Sequence, residues 1–149
     1  MSDEEALGVN HDSAMRDLRW LLDSLAAEAP GVRAVIVVSS DGLPLLATDP
    51  VPFEGGELAT VVSGLASLTS GAADLMEAGP VKQTMVAMDD GCLLVMTVGD
   101  GALLGVLTTP DADLNVVCYH MALFVGRAGH VLTPELRTEL RRSLEPSGS

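Results

Sequence analysis

The sequence predicts an α+β domain: a five-stranded antiparallel sheet with helices on both faces, in the order α-β-β-α-β-β-β-α. Three observations carry this. Lys82–Asp89, Cys92–Val98 and Ala102–Thr109 read as a meander of three strands, separated by Asp90-Gly91 and Gly99-Asp100-Gly101. An Asp-Gly pair suits the type I′ turn, whose twist matches that of paired strands. The last two strands, CLLVMTV and ALLGVLT, are almost continuously apolar. A strand wetted on one face would alternate, so these two are expected to be covered on both faces. The third observation is an earlier hairpin, VRAVIVVS followed by Asp41-Gly42 and a shorter strand, with helix-period segments on either side.

Taken in order, Met1 to about Asp12 is acidic and non-periodic and reads as a tail. Asp12 or Ser13 can cap a helix running to Ala29, with Met15, Leu18, Leu21, Leu22 and Leu25 as its apolar stripe. Pro30-Gly31 stops it, and the β-branched run Val32–Ser39 forms the first strand. Leu43–Thr48 is the second, and Pro44 marks it as an edge because proline cannot donate to a ladder. Asp49–Gly56 is a loop. A long helix is expected over Glu57–Ala78, with Leu58, Val61, Val62, Leu65, Leu68, Ala72, Leu75 and Met76 as one stripe. Ala59, Ser63, Ser67, Ser70 and Asp74 lie opposite that stripe. Gly64 and Gly71 each lower its intrinsic propensity by about 1 kcal/mol relative to alanine. After the meander, Asp113–Ala128 reads as a helix that is apolar nearly all round and ends at Gly129. One face carries Leu114, Val117, Cys118, Met121 and Val125, the other Val116, Tyr119 and Leu123. Such a helix must be buried on two sides or meet a partner. Thr133-Pro134-Glu135 starts a last short helix reaching Leu144, and Pro146–Ser149 is a tail. The divisions expected are a tail over 1–12, a domain over 13–130, and a C-terminal helix and tail over 131–149.

The 149 residues suit one domain. A chain of that size buries roughly 70% of its unfolded surface. With 48% hydrophobic and only 3% aromatic residues, its core is aliphatic. The net charge is −13, and between Ala34 and Gly126 Lys82 is the one lysine or arginine against eleven acidic residues. Phosphate backbones need clustered cations, so nucleic acid is not an expected partner of this body. No basic stretch leads into an apolar one at the N-terminus, no apolar run approaches ~20 residues, and the only cysteines, Cys92 and Cys118, lie in apolar runs. No signal peptide, membrane insertion or disulfide framework is therefore expected, and a reducing cytoplasm fits.

The motifs that carry chemistry are missing. A phosphate-binding P-loop needs Gly-Lys-Ser/Thr after a glycine-rich turn, and the sole lysine sits in GPVKQT. Gly99-Asp100-Gly101 is followed by a strand, with no helix N-terminus to hold an anion. Cys118-Tyr119-His120 supplies two metal ligands at best, and Asp89, Asp90 and Asp100 occupy turn positions without the alternation of a calcium loop. No catalytic residue, cofactor site or metal site is assigned. Two features point to recognition instead. Trp20 lies on the polar side of the first helix, away from its leucine stripe, and tryptophan is a favoured interface anchor. The second is the small-residue face of the long helix, with Ser63, Ser67, Ser70 and Asp74.

The order of elements, the VIVVSSDGLPLLA hairpin, the Ala/Ser/Gly-rich helix after it and the DDGCLLVMTVGDGALLGVLT meander together resemble the Roadblock family, named for the dynein light chains of that type. The resemblance spans about Ser13 to Gly129 and is nearest to the small bacterial Roadblock proteins of actinobacterial conservon operons. It implies a Roadblock/longin-like fold and a homodimer paired through the third strand and second helix, here Lys82–Asp89 and Glu57–Ala78. The outer strand of the meander is also an edge, which invites pairing on physical grounds. Interface residues expected from these arguments are Lys82, Gln83, Met85 and Ala87 on the strand, the four named residues of the small-residue face, and Trp20. The resemblance further implies a Ras-like small GTPase as partner, with a sensor-kinase-like protein encoded alongside. All seven arginines (Arg16, Arg19, Arg33, Arg127, Arg137, Arg141 and Arg142) lie outside the second helix and meander, so none is assigned as a catalytic finger. Any stimulation of hydrolysis would come from positioning the partner's own residues. The rival expectations are a small-ligand sensor on the same scaffold, recognisable by a cavity with convergent polar groups, and an enzyme using Cys92 or Cys118.

Overall fold

The computed structural model describes residues 3–48 and 55–144, with side chains described over 12–48 and 56–142. Its elements are α1 (Asp3–Glu28), β1 (Val32–Ser39), β2 (Pro44–Ala47), α2 (Gly55–Leu75), β3 (Thr84–Met88), β4 (Gly91–Val98), β5 (Ala102–Thr108), α3 (Leu114–Val131) and α4 (Pro134–Leu144). The five strands form one sheet in the order β2-β1-β5-β4-β3, and the four strand pairings are all antiparallel. This is the expected architecture. Pro44 begins an edge strand, as its missing N–H requires.

The near-continuous apolar strands are explained by two cores. Along β1, Val35 and Val37 face a core shared with Leu18, Leu22 and Leu25 of α1, Val117, Met121 and Phe124 of α3, and Leu136 and Leu140 of α4. Ile36 and Val38 face the opposite core, which contains Leu58, Ala59 and Val62 of α2. Leu94 and Leu104 belong to the first core and Leu93, Val95 and Leu103 to the second, so each strand alternates between two apolar layers instead of between core and water.

Several boundaries differ from expectation. α1 begins at Asp3, so the backbone of the segment read as a tail through Asp12 is helical. Glu4-Glu5-Ala6-Leu7 are good helix formers, and acidic residues suit a helix N-terminus. α2 ends at Leu75, before Ala78, because Glu77 and Gly79 adopt positive φ (52° and 82°) and break the helical path. α3 runs through Gly129 to Val131 and is closed by Leu132, whose N–H donates to the Ala128 carbonyl at 2.8 Å. α4 starts where Thr133-Pro134 places it, and the Leu136 N–H donates to Thr133 Oγ1 at 3.2 Å. It packs into the main core through Leu136 and Leu140, so it belongs to the body of the domain. The loop expected over Asp49–Gly56 lies outside the described residues except at Gly55 and Gly56, which open α2. The tail expected over Pro146–Ser149 also lies outside them.

The expected stripe of α2 is the main correction. Ala59 and Val62 are fully buried and Ala73 nearly so, whereas Val61, Leu68, Leu75 and Met76 are exposed. The reason lies in the sheet. Gly105 pairs with Ile36 on one side and Val95 on the other, and a Cβ there would stand 3.0 Å from Val62 Cγ2. The missing side chain lets the helix seat Val62 against the strand, so Leu58, Ala59 and Val62 face the sheet and Leu68 and Leu75 face out. By length and composition alone α2 could cross a membrane, and the structure divides that hydropathy between an inner and an outer face.

Candidate interaction surface

The outer face of α2 is built at coiled-coil spacing. Val61, Leu65, Leu68, Ala72 and Leu75 follow one another at steps of four, three, four and three residues, the alternation of a heptad seam, with Leu65 half-buried against the α2 core and the other four exposed. Leu68 is 74% and Leu75 86% exposed, although leucines in such a series are normally buried against something. Gly64 and Gly71 lie beside the seam, and a Cβ at either would meet nothing within 4 Å. They keep the helix surface low enough for another backbone to come close. Glu57 and Asp74 are the charged residues of α2, near its two ends, and leave the middle uncharged.

This face is flanked by an open strand. β3 pairs with β4 on one side, with Thr84 opposite Val95 and Met88 opposite Gly91, and is an edge on the other. Thr84 and Val86 face the α2 side of the sheet; Thr84 Oγ1 donates to Thr69 Oγ1 at 3.3 Å and Val86 packs on the α2 core. By alternation Met88 shares that side, and Met85 and Ala87 face the other. Met85 and Met88 are both exposed. An uncharged edge with exposed methionines is a template for strand addition.

The residues expected at an interface fall into three places. Met85 and Ala87 lie on the β3 edge. Ser63, Ser67 and Ser70 lie on a flank of α2 and, with Lys82 and Gln83, line a cleft between that flank and the residues leading into β3, while Asp74 is exposed one turn further on. Trp20 is 62% exposed on α1, in the layer across the sheet from α2, and is not part of the α2–β3 face. Sequence reasoning missed Val61, Leu68, Leu75 and Met88 as outward-facing residues. The heptad spacing is the available signal, but periodicity alone reads the whole stripe as core.

Reactive groups are muted. Burial pushes the thiols of Cys92 and Cys118 up from their ordinary range, with Cys92 adding to the effect at Cys118. Thiolate is the reactive form, so burial suppresses nucleophilic chemistry at both. His120 Nδ1 lies 4.0 Å from Glu28 of α1. Among the described residues no three His, Cys, Asp or Glu side chains are grouped so as to hold a metal ion.

The fold is an antiparallel-sheet scaffold that carries an exposed apolar helix face beside an open strand edge. A family model described as Roadblock/LC7 domain matches residues 18–108, more than half of the chain, and the protein belongs to that family. A Roadblock/LC7 domain from Streptomyces avermitilis is similar at 32% identity and a TM-score of 0.72, over 77% of this chain and 98% of that one. MglB from Myxococcus xanthus shares the fold at 18% identity and a TM-score of 0.67, over 89% of this chain and 92% of that one. The gliding protein MglB from Thermus thermophilus does so at 23% identity and a TM-score of 0.66, over 87% of this chain and 92% of that one. No curated protein matches the chain.

Proposed function

We propose that this protein is a non-enzymatic homodimeric adaptor that binds and regulates a Ras-like small GTPase. The observation that carries the reading is the uncharged leucine face of α2 lying beside the open, methionine-bearing edge of β3. A second copy supplies the same face and the same edge, so a two-fold axis beside β3 satisfies both at once: strand pairs with strand and helix with helix. Membership of the Roadblock/LC7 family and the likeness to MglB structures support this reading over a catalytic one.

The regulatory step follows from what the chain lacks. The described arginines of α1, β1, α3 and α4 lie outside the α2–β3 surface, so the dimer offers no arginine of its own to a phosphate from that face. Its effect on a GTPase would be to order the partner's own switch residues. A sensor-kinase-like protein as further partner and a cytoplasmic location, with recruitment to the membrane through partners, complete the proposal. The test is co-purification with the small GTPase encoded beside this protein, and nucleotide turnover with and without it. Complex formation with altered turnover or nucleotide exchange is the expected result. Unchanged turnover with no complex would refute the reading.

A further inference from the structure

We infer that the outward face of α3 is a pairing surface for the α3 of a second copy of this chain, lying antiparallel to it. This is the helix whose apolar residues run nearly all round, and the sheet accounts for only part of them. Val117, Met121, Phe124 and Ala128 are buried in the main core, whereas Val116, Tyr119 and Leu123 on the opposite arc are exposed. With Gly126 these three follow one another at steps of three, four and three residues, a second heptad seam. It lies across the sheet from α2, so pairing at the α2–β3 face leaves it open.

Charge names the occupant. Between Asp113 and Arg127 the chain has no aspartate, glutamate, lysine or arginine. Asp113, His120 and Arg127 recur every seven residues along one flank of the seam. That flank faces α1: His120 Nδ1 lies 4.0 Å from Glu28, and Arg127 lines the same groove. The flank is acidic at its start and basic at its end, with an uncharged seam beside it. A parallel copy would set like charge against like. An antiparallel copy sets each end against its opposite, which is what a two-fold axis through the middle of the helix does. Asp113 caps α3 through Oδ1, which accepts from the Asn115 and Val116 amides at 3.1 and 3.5 Å, and Oδ2 is left for a cation. Arg127 is exposed and forms no ion pair among the described residues.

Register follows from the seam. With Tyr119 opposite the partner's Leu123, Val116 meets the partner's Gly126. A Cβ on Gly126 would meet nothing within 4 Å, so the helix surface is low there and a second backbone can come close. Asp113 then stands beside the partner's Arg127, and on the other flank Ala122 beside the partner's Ala122. One helix pair is small for a stable interface. Two copies joined at β3 carry both α3 seams on one side of the sheet, so a second such dimer meets two seams at once. The net charge of −13 opposes the approach, and physiological salt screens it beyond about 8 Å. The assembly is therefore a dimer when dilute and a tetramer or larger when concentrated.

The inference goes beyond the adaptor reading and takes from it only the size of the assembly. Sedimentation velocity of the full-length protein, over a concentration series at about 0.15 M salt, tests it. The wild type is expected to pass from dimer to tetramer or larger. Tyr119→Asp and Arg127→Glu should each raise the concentration needed for that step about tenfold or more, while the thermal unfolding of the dilute protein stays nearly unchanged. Arg127→Lys should keep the step. A wild-type dimer that Tyr119→Asp turns into monomer and Met85→Asp leaves intact would support the α3 pairing and refute the one at β3. No species beyond a dimer that Met85→Asp dissociates, or growth that neither Tyr119→Asp nor Arg127→Glu alters, overturns the inference.

Discussion

At the scale of single residues, the packing rests on places where a side chain is absent. A Cβ on Gly91 would lie 2.7 Å from the Thr108 carbonyl oxygen, a backbone atom of the neighbouring strand that cannot step aside. Gly91→Ala should therefore destabilise the fold by about 1–3 kcal/mol, as overpacking does, measured by urea unfolding. The sequence shows Gly91 only as half of an Asp-Gly turn. The meander places β5 beside β4, but the close approach of the Thr108 carbonyl to Gly91 depends on the exact register, which local pattern does not contain. The two cysteines behave differently. Cys92 and Cys118 sit in apolar runs, and the structure buries the first and half-buries the second. Both should react with iodoacetamide at neutral pH more slowly than a free thiol does, and thiol counting in native and unfolded protein checks this.

At the scale of elements, α2 and α4 respond to different tests. Leu68 is on the outer arc of α2, so Leu68→Asp should change monomer stability by no more than about 0.5 kcal/mol. The same substitution should sharply weaken self-association, as read by sedimentation velocity. The reason α2 is legible as a helix but not in its orientation is that it is apolar on more than one arc. Periodicity locates the stripes, while Gly105 in the sheet decides which one lies inside. α4 is held partly by charge. Its Arg141 guanidinium and the Ser39 hydroxyl both donate to Asp41 in the β1–β2 turn. The Ser39 hydroxyl first, and Arg141 second, hold the Asp41 carboxyl below its usual range. A carboxyl depressed in the folded state stabilises that state above its unfolded value of about 3.9, and the contribution is lost as pH falls through the lower folded value. Solvent keeps the effect small at this exposed pair. Hydrogen exchange in α4 should accelerate as pH drops below that window, after correction for intrinsic rates, and Asp41→Asn should remove the dependence. Gly101 leaves room for another α4 side chain, because a Cβ there would stand 2.8 Å from the Arg137 guanidinium carbon.

At the scale of the whole molecule, helices cover both faces of the sheet and β2 and β3 are left as edges. The two hairpin signals, the doubly apolar strands and Pro44 make this layering readable from the chain alone. The adjacency of β1 and β5, which closes the sheet, is not readable because it joins segments far apart in sequence. Pairing at β3 predicts that Met85→Asp places a charge at the junction and shifts the assembly toward monomer. A substitution that leaves the sedimentation coefficient unaltered would contradict that pairing. Thermal stability should also rise with protein concentration, because association draws on the folded form only.

The placement of Trp20 and Tyr119, both exposed in the α1–α3 layer, has its own consequence if β3 is the seam. A two-fold axis beside β3 carries both copies of that layer onto one side of an extended ribbon, aromatic residues outward. Each assembly would then be a two-headed clasp: a target with matching twin sites would be gripped at an effective concentration set by the spacing of the heads, and a target with one site would be held only by the affinity of a single head.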